Sequence, residues 1–451
     1  MPERLAVIGG DAGGMAAASV ARRRNPELEV VAFERGAYTS YSACGIPYYV
    51  ADYVHDSDEL ISRSPEEHRE NGIAMHTRTE VTNIDLDRRV LTVRELDADR
   101  EREEGFDQLV YATGARETMP PVPGWEALEP ALKIEPAERL KSKLRGAEGQ
   151  CALVIGASYL GLEMAEAMVQ RGLEVTLIDM ADQVMGSLDA EMAAHMQAAA
   201  EGTGIRVMLS TALEEVLLDS DGHPHAVRTS QGEIRADHVI PAAGVKPVTD
   251  LAKAAGLELG ESGALRVDDH QRCPGVDGVF AAGDCVESHH RILGTPVNIQ
   301  LGTHANKQGW VAGSNITGAD VAFPGVIGTA VAKICSFEAG RTGVSEREAS
   351  AAGIDYVSAT IKSTTRAAYY PGAGSIWVKL LADPASGRLL GGQIVGEEGA
   401  AKRIDVLATC VWTGMQVQEM QLLDLSYAPP FSGVYDPVLI AARQVAKKVG
   451  G

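Results

Sequence analysis

The chain has 451 residues, of which 45% are hydrophobic, and a formal net charge of −21 at pH 7. This length allows about three domains with buried cores, and the acidic charge opposes binding to nucleic acid or to an anionic membrane surface. No apolar run approaches the roughly 18 residues of a membrane-spanning helix. The first predicted strand begins at residue 5, which leaves no room for a signal peptide, and the six cysteines follow no regular spacing. We therefore expect a cytoplasmic protein without disulfides or a metal site.

The first unit of the chain is predicted to be a strand, a glycine-rich turn and a helix. Gly9, Gly13 and Gly14 follow an apolar segment and open a helix of small residues, the pattern of a turn that binds the pyrophosphate of a dinucleotide. Glu34 ends the next apolar segment, twenty residues after Gly14, where a carboxylate can bond ribose hydroxyls. The motif departs from strict G-x-G-x-x-G because Asp11 takes the place of the middle glycine.

The same arrangement recurs in residues 151–179. An apolar strand leads into the turn Gly156-Ala157-Ser158-Tyr159-Leu160-Gly161, and Asp179 ends the next strand eighteen residues after Gly161. Two such units predict two dinucleotides, because each offers one helix N-terminus to one pyrophosphate. Asp179 would accept a ribose 2′-hydroxyl and repel a 2′-phosphate, so NADH is expected over NADPH. The alternative is that Asp179 only caps a loop.

Cys44 is a lone cysteine in the run Tyr41-Ser42-Ala43-Cys44-Gly45-Ile46-Pro47-Tyr48-Tyr49. Position 49, where the second sulfur of a C-x4-C pair would stand, is a tyrosine. Redox chemistry at Cys44 therefore needs a sulfur from outside the chain, in a mixed disulfide or persulfide, or else proceeds through a sulfenate. The residues after Cys44 predict a helix whose unpaired N–H groups would stabilise a thiolate. The alternative is a buried small hydrophobic residue, as most free cysteines are.

Two further strands end in small residues, at Ala112-Thr113-Gly114 and at Gly283-Asp284. The first turn lets the chain pass close to a cofactor and cross into the next domain, and Asp284 fits a ribitol hydroxyl. Each could equally be an ordinary strand end on its own.

As a set, these segments resemble the single-cysteine branch of the pyridine nucleotide-disulfide oxidoreductases. That branch contains coenzyme A-disulfide reductases, NAD(P)H-dependent persulfide or polysulfide reductases, and NADH oxidases and peroxidases. The resemblance covers essentially the whole chain and implies an α/β fold with two Rossmann-like domains, for FAD and NADH, and an α+β C-terminal dimerisation domain of a homodimer. The implied division is an FAD-binding domain over 1–115 and 247–325, an NADH-binding domain over 116–246 and a dimerisation domain over 326–451.

The resemblance also implies which residues bind the cofactors. In this family the residue at Tyr159 gates the nicotinamide pocket, and the one at Glu163 lies beside the nicotinamide. The implied cofactor-binding residues are Gly9, Ala12, Gly13, Gly14, Glu34, Arg35, Ser42, Val81, Ala112, Thr113, Gly114, Asp284, Gly302, Thr303, Ala305, Gly156, Ser158, Tyr159, Leu160, Glu163, Asp179 and Gly244.

Details within the branch favour the coenzyme A-disulfide reductases. Ala12 stands where the oxidases and peroxidases have a histidine that stabilises a cysteine sulfenate, and the Gly-Ile-Pro-Tyr-Tyr after Cys44 is similar to the coenzyme A-disulfide reductase version. By the same resemblance, Tyr427 and Tyr370 are catalytic residues that reach Cys44 of the other subunit. Tyr369 is the alternative to Tyr370.

The substrate-binding residues implied in this way are Ser40, Cys44 and Arg22. An arginine fork is well matched to the phosphates of coenzyme A, although a solvated helix end is the alternative role for Arg22. One departure concerns Ala43, which stands where some coenzyme A-disulfide reductases have asparagine.

The expected activity is that of an FAD-dependent NADH:disulfide oxidoreductase. Its substrate would be coenzyme A disulfide or a related low-molecular-weight disulfide or persulfide, with coenzyme A as substrate or as an adduct on Cys44. The alternatives are an NADH oxidase and an NADH-responsive flavoprotein that acts as a binding module.

Overall fold

The architecture is that of a computed structural model, which describes residues 3–450. The first two residues of the predicted FAD-binding domain and the last residue of the predicted dimerisation domain lie outside the described residues. Within residues 3–450, no helix combines the length and the apolar character needed to cross a membrane.

The first part of the chain forms a parallel sheet with a small antiparallel sheet beside it. β1 is hydrogen-bonded in parallel to β2 on one side and to β7 on the other, while β4, β5 and β6 form the antiparallel sheet. The elements are β1 (Arg4–Ile8), α1 (Ala12–Arg24), β2 (Glu29–Phe33), α2 (Ile46–Val50), α3 (Pro65–Glu70), β3 (Ile73–His76), β4 (Thr79–Asp85), β5 (Val90–Glu95), β6 (Arg100–Gly105), β7 (Gln108–Tyr111) and β8 (Ala115–Glu117).

The second part repeats this plan. Its four-stranded parallel sheet has the order β11-β10-β9-β15, and β12, β13 and β14 form an antiparallel sheet. The elements are α4 (Ile134–Lys143), β9 (Cys151–Ile155), α5 (Tyr159–Gln170), β10 (Glu174–Ile178), α6 (Ala190–Gly202), β11 (Arg206–Met208), β12 (Leu213–Leu218), β13 (Pro224–Thr229), β14 (Gly232–Arg235), β15 (His238–Pro241) and β16 (Val245–Pro247).

The third part returns to the first sheet. Its elements are α7 (Asp250–Ala254), β17 (Val279–Ala281), β18 (Ser288–His289), β19 (Pro296–Val297) and α8 (Gly302–Ile316). β17 pairs in parallel with β7, which gives the five-stranded order β17-β7-β1-β2-β3. The predicted boundaries at 115/116 and 246/247 fall within the antiparallel ribbon of β8 and β16; as domain limits they stay predictions.

The last part is a five-stranded antiparallel sheet of order β20-β21-β24-β23-β22. The central strand β24 is buried along its whole length. α10 and α6 pack against it, and α12 packs against β23 and the edge strand β22. The elements are β20 (Ala330–Ile334), β21 (Phe337–Gly343), α9 (Glu346–Ala351), β22 (Val357–Thr364), β23 (Ser375–Ala382), β24 (Leu389–Gly396), α10 (Ile404–Thr413), α11 (Val417–Met420) and α12 (Pro437–Ala446).

A close contact of α1 with α8 joins the two halves of the first domain. A Cβ atom at Gly309 would lie 2.3 Å from the Gly13 carbonyl oxygen, and one at Gly313 would lie 2.4 Å from the Ala17 carbonyl oxygen. Such distances fall far inside van der Waals contact, so the helices can approach this closely only where α8 lacks side chains. The contact places the middle of α8 against the first turns of α1.

We expect Gly309→Ala to lower the free energy of unfolding by about 1–3 kcal/mol, the usual cost of overpacking a tight contact. The added methyl group would clash with backbone atoms of α1, which cannot move away by a change of rotamer as a side chain can. Urea unfolding of the purified protein measures the change, with Lys307→Ala on the exposed side of α8 as the control. Equal stability of the two variants would contradict the packing described.

Candidate functional site

The glycine-rich turn after β1 has the geometry of a dinucleotide site. Gly9 has φ +110°, and a Cβ there would lie 2.1 Å from the Ala112 carbonyl oxygen, so only glycine fits. The turn leads directly into the N-terminus of α1, whose free N–H groups attract a pyrophosphate. Glu34 accepts hydrogen bonds from the N–H groups of Gly10, at 2.9 Å, and Gly36, at 2.7 Å, which places its carboxylate at this turn.

The turn after β9 repeats this geometry. Gly156 has φ +109°, and a Cβ there would lie 2.3 Å from the Ala242 carbonyl oxygen. Asp179 accepts the N–H of Ala157 at 2.6 Å with one carboxylate oxygen and the N–H of Ala181 at 2.8 Å with the other. Asp179 therefore does cap loops, and a carboxylate retains lone pairs for a ribose hydroxyl. Its contact with the ribose stays a prediction.

Asp284 and the N-terminal part of α8 lie against the glycine-rich turn after β1. The Gly283 N–H donates to Gln308 Oε1 at 2.8 Å, and the Ala305 side chain lies beside Gly283. Gly302 and Thr303 form the exposed first turn of α8, where the helix dipole favours negative charge. Burial raises the pKa of Asp284 to about 6. Sequence reasoning missed Gln308, because a lone glutamine inside a helix carries no motif.

Cys44 is exposed, in a short 3₁₀ turn, Ala43–Gly45, that runs into α2. All six cysteines are free. Tyr49, where a second sulfur would stand, is buried, and the Lys141 Nζ atom lies 4.0 Å from the centre of its ring. Cys44 is thus exposed and has no sulfur partner at that position.

The electrostatic surroundings of Cys44 differ from the prediction. Partial burial raises the pKa of the Cys44 thiol, the charges of Glu163, Asp284 and Asp11 raise it further, and a backbone hydrogen bond at Cys44 lowers it. The backbone hydrogen bond at Cys44 lowers the pKa, as predicted for a nearby N–H group, but burial and the acidic groups outweigh it. The prediction that the chain stabilises a Cys44 thiolate is therefore wrong, because burial of the sulfur and, after it, the charges of three carboxyl groups from distant segments raise its pKa.

These carboxyl groups hold protons unusually well. Burial, with the repulsion of Glu166, raises the pKa of Glu163 to about 7. Burial is also the main cause that raises the pKa of Asp11 to about 6, with Glu34 and Asp284 adding to it. Glu163 lies on α5, against which α2 packs, and Asp11 precedes α1, so groups of both dinucleotide units lie near enough to act on the Cys44 sulfur. We call the region around Cys44, Asp11, Glu163 and Asp284 the cleft. In the sequence Asp11 is visible only as a break in the glycine motif.

The C-terminal tyrosines lie on the surface of the last domain. Tyr427, Tyr370 and Tyr369 have exposed fractions of 49%, 37% and 77%. Partial desolvation, followed by the charge and hydrogen bond of the neighbouring Tyr427, raises the pKa of Tyr369. The structure thus brings Tyr369 next to Tyr427. The choice of Tyr370 over Tyr369 stays a prediction.

Ser40 and Arg22 lie at opposite ends of β2. The Ser40 N–H donates to the Gly10 carbonyl at 3.0 Å, on the side of Cys44. The Arg22 guanidinium donates to the carbonyl oxygens of Pro26 and Leu28, before β2 begins. Arg22 is a substrate ligand only if the substrate extends along α1, and this role stays a prediction.

The remaining predicted cofactor residues surround the two turns. Ala12, Gly13 and Gly14 form the first turn of α1, and Ser158 caps α5, whose first turn contains Tyr159 and Leu160. Arg35 and Ser42 are exposed, and Arg35 forms an ion pair with Glu80. Val81 lies in β4. Thr113 donates to the Val248 carbonyl, while the carbonyl groups of Gly114 and Gly244 accept the N–H groups of Val248 and Thr118.

Comparison with known proteins decides the family. The sequence pattern of the pyridine nucleotide-disulphide oxidoreductases matches residues 3–309, and that of their dimerisation domain matches residues 329–437. The chain belongs to this family. The predicted family and fold class are thereby confirmed.

Relatives of known name include both reductases and an oxidase. An NAD(P)H coenzyme A polysulfide/persulfide reductase from Pyrococcus horikoshii is 36% identical over 98% of each chain. An NADH oxidase from Methanocaldococcus jannaschii is 36% identical over 99% of each chain. The solved structure of an NAD-dependent persulfide reductase from A. fulgidus is 39% identical, with a TM-score of 0.94, and covers 99% of this chain and 83% of that one.

Membership in the family implies FAD and NAD(P)H as cofactors, and the residues present fit both. At Gly9 and at Gly156 the turn lies so close to the neighbouring chain that a side chain would not fit between them. Each turn ends at the free N–H groups of a helix longer than ten residues. These are the features that a pyrophosphate requires.

We expect the free energy of unfolding to fall as the pH rises from about 5 to about 8, partly because of Glu163. The folded protein retains the Glu163 proton up to about pH 7, whereas the unfolded chain releases it near the ordinary value of 4.5. The unfolded state then binds fewer protons, and stability decreases with pH in this window. Glu163→Gln should flatten this dependence in urea unfolding, whereas Glu261→Gln on the exposed surface should not. A dependence of equal slope in both variants would contradict the assignment.

Proposed function

We propose that this enzyme uses NADH and FAD to reduce a low-molecular-weight disulfide or persulfide, with coenzyme A disulfide as the favoured substrate and Cys44 as the redox residue. The observation that carries the proposal is the exposed, unpartnered Cys44 near Asp11 and Glu163 of the two dinucleotide units, with Tyr49 at the place of a second sulfur. A relative named as a coenzyme A polysulfide/persulfide reductase supports the choice of substrate.

Binding of FAD falls to the turn at Gly9, to Glu34, and to Asp284 with the start of α8. The nicotinamide nucleotide would be bound by the turn at Gly156 and by the side chains of Tyr159, Glu163 and Asp179. Bound FAD supplies a path for two electrons between the nicotinamide and the sulfur at Cys44. The chain itself provides orientation and charge.

Cys44 carries the covalent chemistry. Its thiolate attacks one sulfur of the substrate disulfide, the S–S bond breaks, and one thiol leaves with a proton while the other half stays bound as a mixed disulfide. Two electrons that originate from NADH then return Cys44 to the thiolate and release the second thiol. The overall reaction consumes NADH, one proton and one disulfide, and yields NAD⁺ and two thiols.

Formation of the Cys44 thiolate must overcome the surrounding carboxyl groups. A protonated Glu163, with its pKa of about 7, adds no negative charge and so makes this step easier near neutral pH. Tyr427, with Tyr369 or Tyr370, would donate to the departing sulfur from the other subunit of a homodimer. The match of the dimerisation domain to residues 329–437 supports this arrangement.

NADH oxidase activity is the second candidate, because a relative of 36% identity carries that name. Ala12 has a methyl group where a histidine would stabilise a sulfenate on Cys44, so an oxidase built on this chain would work without that help. A binding module without turnover would have no use for an exposed cysteine in the cleft.

Cys44→Ser tests the proposal. We expect NADH to reduce the bound flavin as in the wild type, while turnover with coenzyme A disulfide falls to background, because a hydroxyl cannot form the mixed disulfide. Stopped-flow absorbance and steady-state NADH consumption measure the two steps. Cys151→Ser, at a half-buried thiol on β9, is the control and should keep full activity. Undiminished disulfide reduction in Cys44→Ser would exclude the mechanism, and oxygen consumption without disulfide reduction in the wild type would favour the oxidase.

Asp179→Asn tests the coenzyme preference. Removal of one negative charge should improve the use of NADPH relative to NADH by about 1–2 kcal/mol, roughly tenfold in the ratio of kcat/KM values. Asp182→Asn, which neutralises an exposed carboxylate three residues away, should leave the ratio unchanged. An unchanged ratio in Asp179→Asn would mean that Asp179 caps its loops and does not face the ribose.

A further inference from the structure

His68 is a buried histidine that the proposed chemistry does not use. It lies on α3 with 1% of its surface exposed, and its Nε2 atom is 2.9 Å from the Ser40 Oγ atom. Its other ring nitrogen, Nδ1, is buried and has no hydrogen-bond partner among residues 3–450.

The histidine is neutral at physiological pH. Burial lowers the pKa of His68 to about 4, the charge of Arg63 lowers it as well, and Glu67 opposes them. A neutral imidazole carries one proton, so one ring nitrogen donates and the other accepts. The hydrogen bond between His68 and Ser40 therefore has two possible directions.

The unpartnered Nδ1 atom decides between them. If the Ser40 hydroxyl donated to Nε2, the ring proton would sit on Nδ1 as a buried N–H without an acceptor. If Nε2–H donates to Ser40 Oγ, Nδ1 holds only an unpaired lone pair. Orphaned buried N–H groups are rarer in native proteins than acceptors with unused lone pairs, so the second direction is favoured.

Ser40 itself is held firmly in an unusual conformation. Its φ is +47°, in the left-handed region, which a serine keeps only where the surroundings fix it. Its N–H donates to the Gly10 carbonyl at 3.0 Å, and its carbonyl accepts the Ser62 N–H at 2.9 Å. With the backbone fixed on both sides and Oγ accepting from His68, the hydroxyl proton is the part of Ser40 that remains free.

We propose that His68 is a positioning residue that donates Nε2–H to Ser40 Oγ and so commits the Ser40 hydroxyl to donate its proton to an acceptor oxygen of the substrate. The proposal rests on the proposed function, since Ser40 lies four residues before Cys44 and substrate reaches it only if disulfides bind at Cys44. The acceptor is either an amide carbonyl or a phosphate oxygen, both of which coenzyme A carries.

Steady-state kinetics of the FAD-loaded enzyme tests this role of His68. The two substrates are coenzyme A disulfide and pantethine, which has the amide carbonyls but lacks the nucleotide phosphates. His68→Phe keeps a buried ring without the donor, and we expect KM for the disulfide to rise about tenfold, the scale of one lost hydrogen bond, with kcat unchanged. His68→Gln, which can donate an amide N–H at similar reach, should restore KM to within about threefold of the wild type. A rise with both substrates assigns the acceptor to an amide carbonyl, and a rise with coenzyme A disulfide alone assigns it to a phosphate.

Ser40→Ala separates positioning from mere packing. If His68 acts through Ser40, His68→Phe adds no further rise in KM in the Ser40→Ala background. His238→Phe, at a buried histidine bonded to Gln150 in the other dinucleotide unit, is the control and should leave KM for the disulfide unchanged. Additive effects of Ser40→Ala and His68→Phe, or an unchanged KM in His68→Phe, would overturn the proposal.

A direct measurement keeps the inference independent of turnover. Long-range ¹⁵N–¹H correlations of the histidine-labelled, FAD-loaded protein report which ring nitrogen carries the proton, with His68→Phe for assignment. A proton on Nε2 is expected, and a proton on Nδ1 or on both nitrogens would overturn the proposal. If the wild type reduces neither disulfide, the proposed function fails, whereas the protonation of His68 is still decided by this spectrum.

Discussion

The contact of backbone on backbone at the two glycine turns is the constraint on which the site depends. Gly9 lies under the Ala112 carbonyl and Gly156 under the Ala242 carbonyl, at distances that no Cβ atom could occupy. Each contact closes a strand against its neighbour and leaves the following helix N-terminus facing the cleft. Glu34 and Asp179 then reach the turns through backbone N–H groups, so the dinucleotide geometry is in place in the protein itself.

A second consequence of this close packing is the acidic character of the cleft. Asp11, Asp284 and Glu163 come from three separate segments, and burial is the main reason that each holds its proton more tightly than in water. The same groups raise the pKa of Cys44. The reactivity of this sulfur therefore depends on its burial and on how the charge of the whole cleft is balanced.

The last domain also contacts the loop between β10 and α6. Ser187 donates to the Tyr159 hydroxyl at 3.0 Å, and Arg341 of β21 donates to the Ser187 carbonyl at 2.8 Å. Lys379, which is 4% exposed, pairs with Asp189, Glu191 and Glu346 at 3.1 Å each. Lys379 and Asp189 are both buried, and removing one partner of such a pair is costly. The loop between β10 and α6, to which Tyr159 is bonded, is therefore held to the last domain.

The two dinucleotide turns, the lone Cys44 and, through the resemblance, the family and the fold class can be predicted from the sequence. The turns are local features, since the spacing of glycines, apolar residues and an acid within some thirty residues is enough to specify each unit. Other features follow only from the folded arrangement: the placement of β17 beside β7, the separation of Arg22 from Ser40, the proximity of Tyr369 to Tyr427, the pKa of Cys44 and the pairing of His68 with Ser40. Each of these depends on burial, or on groups brought together from separate parts of the fold, and no local pattern encodes the distance between them.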